Sequence, residues 1–393
     1  MITLELPPEA EQFREEVRNW LTEHPSPSGR ELADAGYVAP HWPRPWGRAA
    51  SPLEQLAIDE VLRGHGVNRP INPIGIGWAG PTILHAATPE QHQRWLPGLL
   101  DGSEMWCQLF SEPGAGSDLA GLRTKAVRDG DEWVVTGQKI WTSLAQYSKW
   151  GILLARTDWD APKHRGITYF VCPMDAPGIE IRPIIEMTGD HLFNEVFLDG
   201  VRIPGDHVIG EVNRGWDLAK VTLANERVSL SSGGAIWGMG PTADDLIESL
   251  RKAGPVADPV HRQRIAEVWS EGQVLQMLRA RLVAAALVGK QPGPEVSIRK
   301  VLADEHGQHL FDLARDLAGA WGLLHDAGPY QVDPGVWTHG FFFSPALTVG
   351  GGTTEVQKGI IGERVLGLPR EPDPTADAAF RDVAAQPGTT RSG

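Results

Sequence analysis

Apolar positions recur at helical spacing at both ends of this chain and at strand spacing in its middle. Near the N-terminus Phe13, Val17, Trp20 and Leu21 fall at i, i+4, i+7 and i+8, the stripe of an amphipathic helix. Pro-rich HWPRPWG, from His41 to Gly47, must be loop. SPLEQLAIDEVLRGHG restarts a helix, with Ser51 as N-cap, Pro52 in the first turn and Glu54 closing a capping box. Val67 to Gly80, rich in Gly, Pro and Asn, reads as a broken connection. Thr88 and Gln91 form a second box, which opens QHQRWLPGLL.

From Cys107 to about Ile203 the period changes. Short β-rich runs (EWVVTG, WGILLART, GITYFVCP, IEIRPII, NEVFLDGVRIP) are separated by turn residues. Asp-Gly at Asp129 and at Asp199 reads as hairpin punctuation. Strands at this spacing predict a small antiparallel barrel or sandwich. The helical period returns from about Trp216. Ile265, Val268, Val274, Leu275, Leu278 and Leu282 form one stripe, and Val301, Leu302, Leu310, Leu313 and Leu317 another. Long helices with so little charge on one face predict a bundle, or burial against another subunit. The tail from Glu371 to Gly393 is rich in Pro, Asp, Ala and Thr, and its composition predicts disorder.

The predicted class is therefore α+β, ordered as N-terminal helices (1–105), a middle β-domain (106–213), C-terminal helices (214–370) and a disordered tail (371–393). A chain of 393 residues exceeds what one hydrophobic core sustains. No G-x-G-x-x-G follows a strand and no P-loop occurs, which argues against a nicotinamide site on a doubly wound sheet. The formal charge of -14 argues against nucleic acid or an anionic membrane as the main partner. Cys107 and Cys172 are the only cysteines, and neither has metal-ligand spacing. That suits a reducing cytoplasm. The acidic start does not read as a signal peptide, and no run of about 18 apolar residues predicts a membrane span.

The stretch from Trp106 to Trp150 concentrates the candidate chemistry. Ser111 to Ser117, SEPGAGS, has the scant side chains that let a backbone lie against a phosphate or a ring edge. Taken alone, GAGS is also an ordinary turn. Trp141 and Ser143, two apart on a predicted strand, would share a face and could address one flat ligand. Glu60, Glu104 and Glu195 read as helix surface, loop and strand end, and His164 as a turn residue.

Three blocks together carry a specific resemblance. FSEPGAGSDLAGLRTKA is followed by GQKIWTS, NEVFLDGVRIP runs into NRGW, and GGTTEVQKGIIGERVLGLPR lies near the end. Over roughly residues 5 to 370 the chain resembles the acyl-CoA dehydrogenase family of flavoproteins. It looks most like an actinobacterial branch, marked by ANERVSL, that includes subunits acting on bulky CoA esters such as steroid side chains. The resemblance implies an N-terminal helical domain, a middle antiparallel β-barrel and a C-terminal four-helix bundle, with FAD as cofactor. Phe110 and Ser111 match flavin-contacting positions, and Gln108 an aligned flavin-edge site. Ser117 matches the serine near pyrophosphate and pantetheine, Trp141 and Ser143 the pair on the isoalloxazine, and Thr353 and Glu355 an FAD-facing helix start. The resemblance further implies an acyl-CoA substrate, a trans-2-enoyl-CoA product, an electron-transfer flavoprotein as electron acceptor, and assembly as a homotetramer or an α2β2 heterotetramer.

Many members carry the catalytic base as the Glu of a Tyr-Glu-Gly-Thr loop. Here the loop reads Gly350-Gly351-Gly352-Thr353, and Gly351 stands in the glutamate's place. Another branch places an acid-Arg pair on a bundle helix, and this chain has Glu226-Arg227 there. Glu226 is therefore assigned as the base, and Arg227 joins Ser117 among substrate-binding residues. A lone Glu-Arg on a helix is ordinarily a solvated pair, but Val221, Leu223, Val228 and Leu230 predict a largely buried helix. Small residues nearby (Ala224, Ser229, Ser231, Ser232, Gly233, Gly234) leave room for a branched or bulky acyl chain.

The chain also departs from the family. No R-x-x-F-G stretch lies between Gly254 and Gln273, and Asp316 stands where a Gln commonly begins an adenine-binding loop. Phe342, Phe343 and Pro345 occupy a segment that usually carries charge. The contacts one subunit lends its neighbour's FAD are the ones affected. The alternatives are an active enzyme that holds FAD by other residues, a subunit completed by a partner, and a flavin-poor structural subunit. An oxidase on the same fold would reveal itself by oxygen consumption.

Overall fold

The predicted N-terminal stripe folds as α1 (Ala10–Glu23), which buries Val17 and Leu21. The structure, a computed structural model, describes residues 7–230, 235–237, 239–287, 293–324 and 335–384, with the side chains of 227–230 and 286 excepted. Helix α2 (Gly29–Asp34) starts at a capping box of Ser28 and Glu31 that the sequence reading missed. Helix α3 (Pro52–Gly64) starts at the Ser51–Glu54 box. The broken connection expected before Gly80 is corrected in part. A π turn at Gly75–Ala79 runs directly into α4 (Gly80–Ala86). Asn72 organises this region while almost fully buried. Its Nδ2 donates to Leu99 O and Glu104 O, and its Oδ1 accepts from Gly75 N and Trp106 N. Helix α5 (Pro89–Asp101) opens at the Thr88–Gln91 box and closes on left-handed Gly102.

The strands are β1 (Trp106–Leu109), β2 (Lys125–Asp129), β3 (Glu132–Lys139), β4 (Trp150–Arg156), β5 (Ile167–Pro173), β6 (Ile179–Pro183), β7 (Asn194–Pro204) and β8 (Val208–Ile209). They form one sheet in the order β6-β7-β3-β2-β4-β5-β8, with β1 against β4. Most neighbours are antiparallel, but β1 and β4 pair in parallel, and β2 meets β4 in parallel at Lys125–Arg156. Parallel neighbours need a long connection. Here the chain between β1 and β4 spends it on the Gly-rich turn and the β2–β3 hairpin.

Asp129-Gly130 turns that hairpin, with Gly130 at φ 62°. Asp199-Gly200 does not turn a hairpin. It lies inside β7, where two residues oppose one on β3 between the Val135–Val201 and Gly137–Leu198 pairs, so its left-handed glycine makes a bulge. Strands β4 and β5 are buried on both faces. Ile152, Leu154, Tyr169 and Val171 join a core with the N-terminal helices, while Leu153, Ala155, Phe170 and Cys172 join a second core inside the sheet. A strand covered on both faces loses the apolar-polar alternation, hence the continuous runs in the sequence.

Helix α6 (Gly215–Leu230) follows the sheet. The N-terminal helices, the sheet and α6 through Asn225 belong to one compact unit; Glu226 onward to Glu371 belongs to the other. The second unit contains α7 (Ala243–Ala253), α8 (Pro259–Leu287), α9 (Val296–Ala318), α10 (Val336–Phe343) and α11 (Thr354–Ile360). Its core joins Ala243, Leu246, Val268, Leu310, Leu313 and Ala314. Two members of the predicted stripes, Val274 and Leu302, are exposed.

The expectation of disorder after Glu371 is corrected over the described residues. They end in α12 (Phe380–Ala384), which packs on the sheet unit. Phe380 is buried, and the Arg156 guanidinium lies 3.5 Å from its ring centroid. Phe380 N donates to Ala161 O and Arg381 N to Trp159 O. A single aromatic anchor outweighs a disorder-prone composition once a receiving surface exists.

Candidate active site

The sheet unit carries six of the predicted site residues. Gln108 is on β1, Phe110 and Ser111 follow it, and Ser117 lies in the exposed turn beyond. Glu112 and Ala115 exchange both backbone hydrogen bonds, which throws Pro113 and Gly114 to the tip. A Cβ built on Gly114 or Gly116 would meet nothing within 4 Å, so this turn borders open space. The Phe110 ring packs in the core, edge-on to Tyr169 at 5.9 Å.

Trp141 and Ser143 are not on a strand, which corrects the strand reading. β3 ends at Lys139, and Trp141 sits in the left-handed region at φ 61°. A bulky side chain there marks a strained backbone held by its surroundings. The holding groups are visible. Ile140 N donates to Ser111 O at 3.0 Å, and Thr142 N to Asn194 O at 3.0 Å; Asn194 Nδ2 returns a bond to Thr142 O. Thr142 is buried, between exposed Trp141 and half-buried Ser143. The Trp141 ring is 56% exposed and rests edge-on against Phe193.

Glu112 and Lys139, missed at the sequence level, brace this arrangement. Lys139 Nζ donates to Glu112 Oε1 at 2.9 Å and to Phe110 O at 3.0 Å, while Glu112 also accepts from Arg123 N and Thr124 N. Burial pushes Glu112 up, but the Lys139 charge and the donated hydrogen bonds outweigh it and hold the carboxyl below its ordinary value. A signal was present in the sequence. Lys139 has the same strand parity as Trp133 and Val135, which face the core.

In the second unit Glu226 is 7% exposed, which a solvated surface pair is not. The Arg227 side chain lies outside the described residues, as do Ser231, Ser232, Gly233 and Gly234 and the side chain of Ser229. Ala224 is exposed. Thr353 caps α11 by accepting from Val356 N. Glu355 is exposed in the first turn, where its own backbone N–H and the Thr353 hydroxyl hold its carboxyl below the usual range.

The glycine loop before Thr353 is fixed from behind. Lys300 Nζ donates to Leu347 O and Gly352 O, and Gln357 Nε2 donates to Gly351 O. Lys300 is buried, 2.6 Å from equally buried Asp304. Gly351 lies at φ 67°, and a Cβ on Gly350 would stand 2.3 Å from the Trp237 ring, which itself packs on Phe343. Trp237, backed by Phe343, thus leaves no room for a side chain at 350. The left-handed backbone explains why no glutamate sits at 351. Lys300 and Asp304 could have been found by helical spacing, since Ser297, Val301 and Gly307 share their buried helix face.

The remaining carboxylates have structural partners. Glu60 accepts from Arg14, Glu104 from Trp150 and Lys149, and Glu195 from Gln138; His164 packs on Trp216. Asp316 pairs with Arg264 at 2.6 Å. Among the described residues no group of His, Cys, Asp and Glu could hold a metal, and no helix is long and apolar enough to cross a membrane.

Comparison with known proteins decides the family. The N-terminal domain of acyl-CoA dehydrogenases matches residues 7–103, the middle domain 107–201 and the C-terminal domain 213–366. The chain belongs to the acyl-CoA dehydrogenase family. As such it is an oxidoreductase with the helical, β-sheet and helical domain order of that family. It is 47% identical to the acyl-CoA dehydrogenase FadE34 of Mycobacterium tuberculosis over 86% of this chain but only 46% of the relative, so the chain spans about half of that protein. It is 36% identical to the acyl-CoA dehydrogenase IpdE1 of the same organism, over 92% of this chain and 99% of that one. Among solved structures, the Tcur3481-Tcur3483 steroid acyl-CoA dehydrogenase superposes with a TM-score of 0.78 at 29% identity, covering 94% of this chain and 100% of that one. The ChsE4-ChsE5 complex from Mycobacterium tuberculosis gives 0.75 at 30%, with the same coverages.

A dehydrogenase of this family uses a flavin, and the residues present fit one. The open Gly114–Gly116 edge suits a diphosphate, and the outward, half-exposed indole of Trp141 beside Ser143 suits a flat ring system.

Proposed function

We propose that this dehydrogenase removes the elements of hydrogen from the α and β carbons of an acyl-CoA thioester, giving a trans-2-enoyl-CoA. The observation that carries the reading is the burial of Glu226 on α6 together with a left-handed glycine at position 351, where other members keep their base. Glu226 takes the α-proton onto its carboxylate. Bound FAD supplies the acceptor for the hydride that leaves the β-carbon. Trp141 and Ser143 would hold the ring system, with the Phe110 backbone, the Ser111 hydroxyl and Gln108 as further flavin contacts; Ser117 would lie near the diphosphate, and Thr353 and Glu355 would face the FAD from their helix start. Ser117 and Arg227 orient the thioester. An unactivated α-proton is too weakly acidic for a free carboxylate, so donors to the thioester oxygen must stabilise the developing enolate. Electrons then pass to an electron-transfer flavoprotein.

The acyl group is inferred to be branched or bulky, of the steroid side-chain type. The small residues after Glu226 support this, as do the similar steroid dehydrogenase structures. Anaerobic flavin bleaching by straight, branched and steroidal CoA esters tests it. Glu226→Gln should leave ester binding near wild type and slow bleaching by orders of magnitude. Bleaching at the wild-type rate removes Glu226 from the role.

A second reading concerns assembly. We infer that the chain works as one half of an α2β2 heterotetramer rather than as a homotetramer. Asp316 is engaged by Arg264 within its own unit, and the R-x-x-F-G stretch is lacking. A similar solved structure is a complex of two differently named chains, and one relative is about twice this length. A colourless protein when purified alone that becomes yellow with a co-expressed family member supports it. A yellow homotetramer overturns it.

A further inference from the structure

Three hydroxyls meet in the sheet unit, one from each of three elements, and no step of the chemistry above uses them. Thr82 of α4 and Thr222 of α6 have their Oγ1 atoms 2.8 Å apart, and Tyr169 Oη of β5 lies 3.0 Å from Thr222 Oγ1. All three residues are 0% exposed. The two outlying acceptors are backbone carbonyls: Trp78 O is 3.0 Å from Thr82 Oγ1, and Leu218 O is 3.2 Å from Thr222 Oγ1. Three protons must be placed. Tyr169 donating to Thr222, Thr222 to Thr82, and Thr82 to Trp78 O uses each proton once on the shorter contacts. Thr222 then also accepts, so each hydroxyl has a partner and the chain has a direction. Burial pushes the Tyr169 hydroxyl well above its ordinary value, against the opposing influence of the Thr222 and Thr82 hydroxyls, so it keeps its proton and can donate it to Thr222.

Thr222 is four residues before Glu226 on the same helix, and residues so spaced lie one above the other on one face. The boundary between the two compact units falls between Asn225 and Glu226. The relay thus ties α6 to the sheet unit one turn before that boundary, beside the apolar packing of Leu218, Ala219 and Leu223. A buried hydrogen-bond network with every member satisfied rigidifies the elements it joins and selects one arrangement of them, here the rotation of α6 about its axis. We propose that Thr222, held by Thr82 and Tyr169, is a positioning residue that fixes the azimuth of α6 and so aims the Glu226 carboxyl. This rests on the assignment of Glu226 as base.

The test compares Thr222→Val, Thr222→Ser and Tyr169→Phe in the full-length protein with its flavin, assembled as wild type is. The probe is the CoA ester that bleaches wild-type flavin fastest among straight, branched and steroidal esters. Stopped-flow bleaching separates the limiting rate from the ester's apparent dissociation constant. Thr222→Val should lower the limiting rate at least about ten-fold, given that a displacement of about 1 Å can cost about a hundred-fold. The dissociation constant and flavin spectrum should stay within about two-fold of wild type. Thr222→Ser keeps the hydroxyl and should restore the rate. Tyr169→Phe, which leaves the threonine pair in place, should give a smaller loss and serves if Thr222→Val does not fold. Limiting rates unchanged in every folded variant, with only the melting temperature lowered, would show a structural tie and overturn the proposal. If Glu226→Gln bleaches normally, the base assignment has failed and the proposal goes with it. If Glu226→Gln is dead while the relay variants keep the wild-type rate, the proposal alone has failed.

Discussion

Lys139 reaches back from the end of β3 to place its ammonium 2.9 Å from Glu112, with the Lys139 side chain fully buried and that of Glu112 nearly so. The pair ties the Gly-rich turn to the loop that carries Trp141. Breaking one side strands a buried charge, so Lys139→Met should destabilise the protein by about 3–5 kcal/mol, whereas Lys139→Met with Glu112→Gln should recover much of it. Urea unfolding at neutral pH measures both. A single-variant loss under about 1 kcal/mol, the size of a surface pair, would contradict this account. The sign with pH also follows. Because Glu112 titrates below its unfolded value, its contribution is complete above about pH 4.3 and disappears as pH falls through the folded value.

Asp304 behaves in the opposite sense. Burial pushes its carboxyl up to about 7, against the pull of Lys300. The folded value lies above the unfolded one, near about 3.9. The protonated form therefore stabilises the fold fully below about pH 4, and that contribution is lost as pH rises through about 7. Asp304→Asn stays neutral throughout. Melting curves from about pH 5 to about pH 8 should show wild type losing ground steadily to the variant. A gap that stays constant across that range is incompatible with the assignment.

Trp141 separates backbone strain from ring contact. Its φ of 61° suits glycine and strains every L side chain, so Trp141→Gly should be more stable than Trp141→Ala by about 1 kcal/mol. Both lose the indole, and both should bind FAD more weakly by a similar factor. Flavin titration and thermal melts of the pair decide this. Equal stability of the two variants would remove the strain argument.

Phe380 decides whether the tail stays docked. Phe380→Ala removes a buried ring and the stacking partner of Arg156, whose guanidinium also ties Ala120 O, Leu122 O and Lys163 O. Buried Phe→Ala changes cost about 3–5 kcal/mol, and here the loss should appear as release of the last residues rather than as global unfolding. Limited proteolysis should cut the variant after Glu371 much faster than wild type. Equal cutting rates would mean that the ring does not hold the segment.

The helix starts at Ser51 and Thr88, the stripe of α1 and the positions of β3 to β7 were legible in the sequence. Capping and periodicity are local, and neighbours in the chain decide them. The resemblance to the family proposes Ser111, Ser117, Trp141 and Ser143 from its blocks, and Glu226 from ANERVSL, as site residues. What the sequence left out depends on partners distant along the chain. The parallel pairing of β1 with β4, the bulge at Gly200 and the burial of Phe380 each need a surface assembled from elsewhere. So do the two buried lysines. Strand parity at Lys139 and helical spacing at Lys300 hint that both face inward, but only the folded chain shows that each meets a carboxylate there and ends on the backbone of a candidate-site segment. A charge can be buried only where a counter-charge or enough hydrogen-bond partners arrive to replace water, and that meeting is a property of three dimensions.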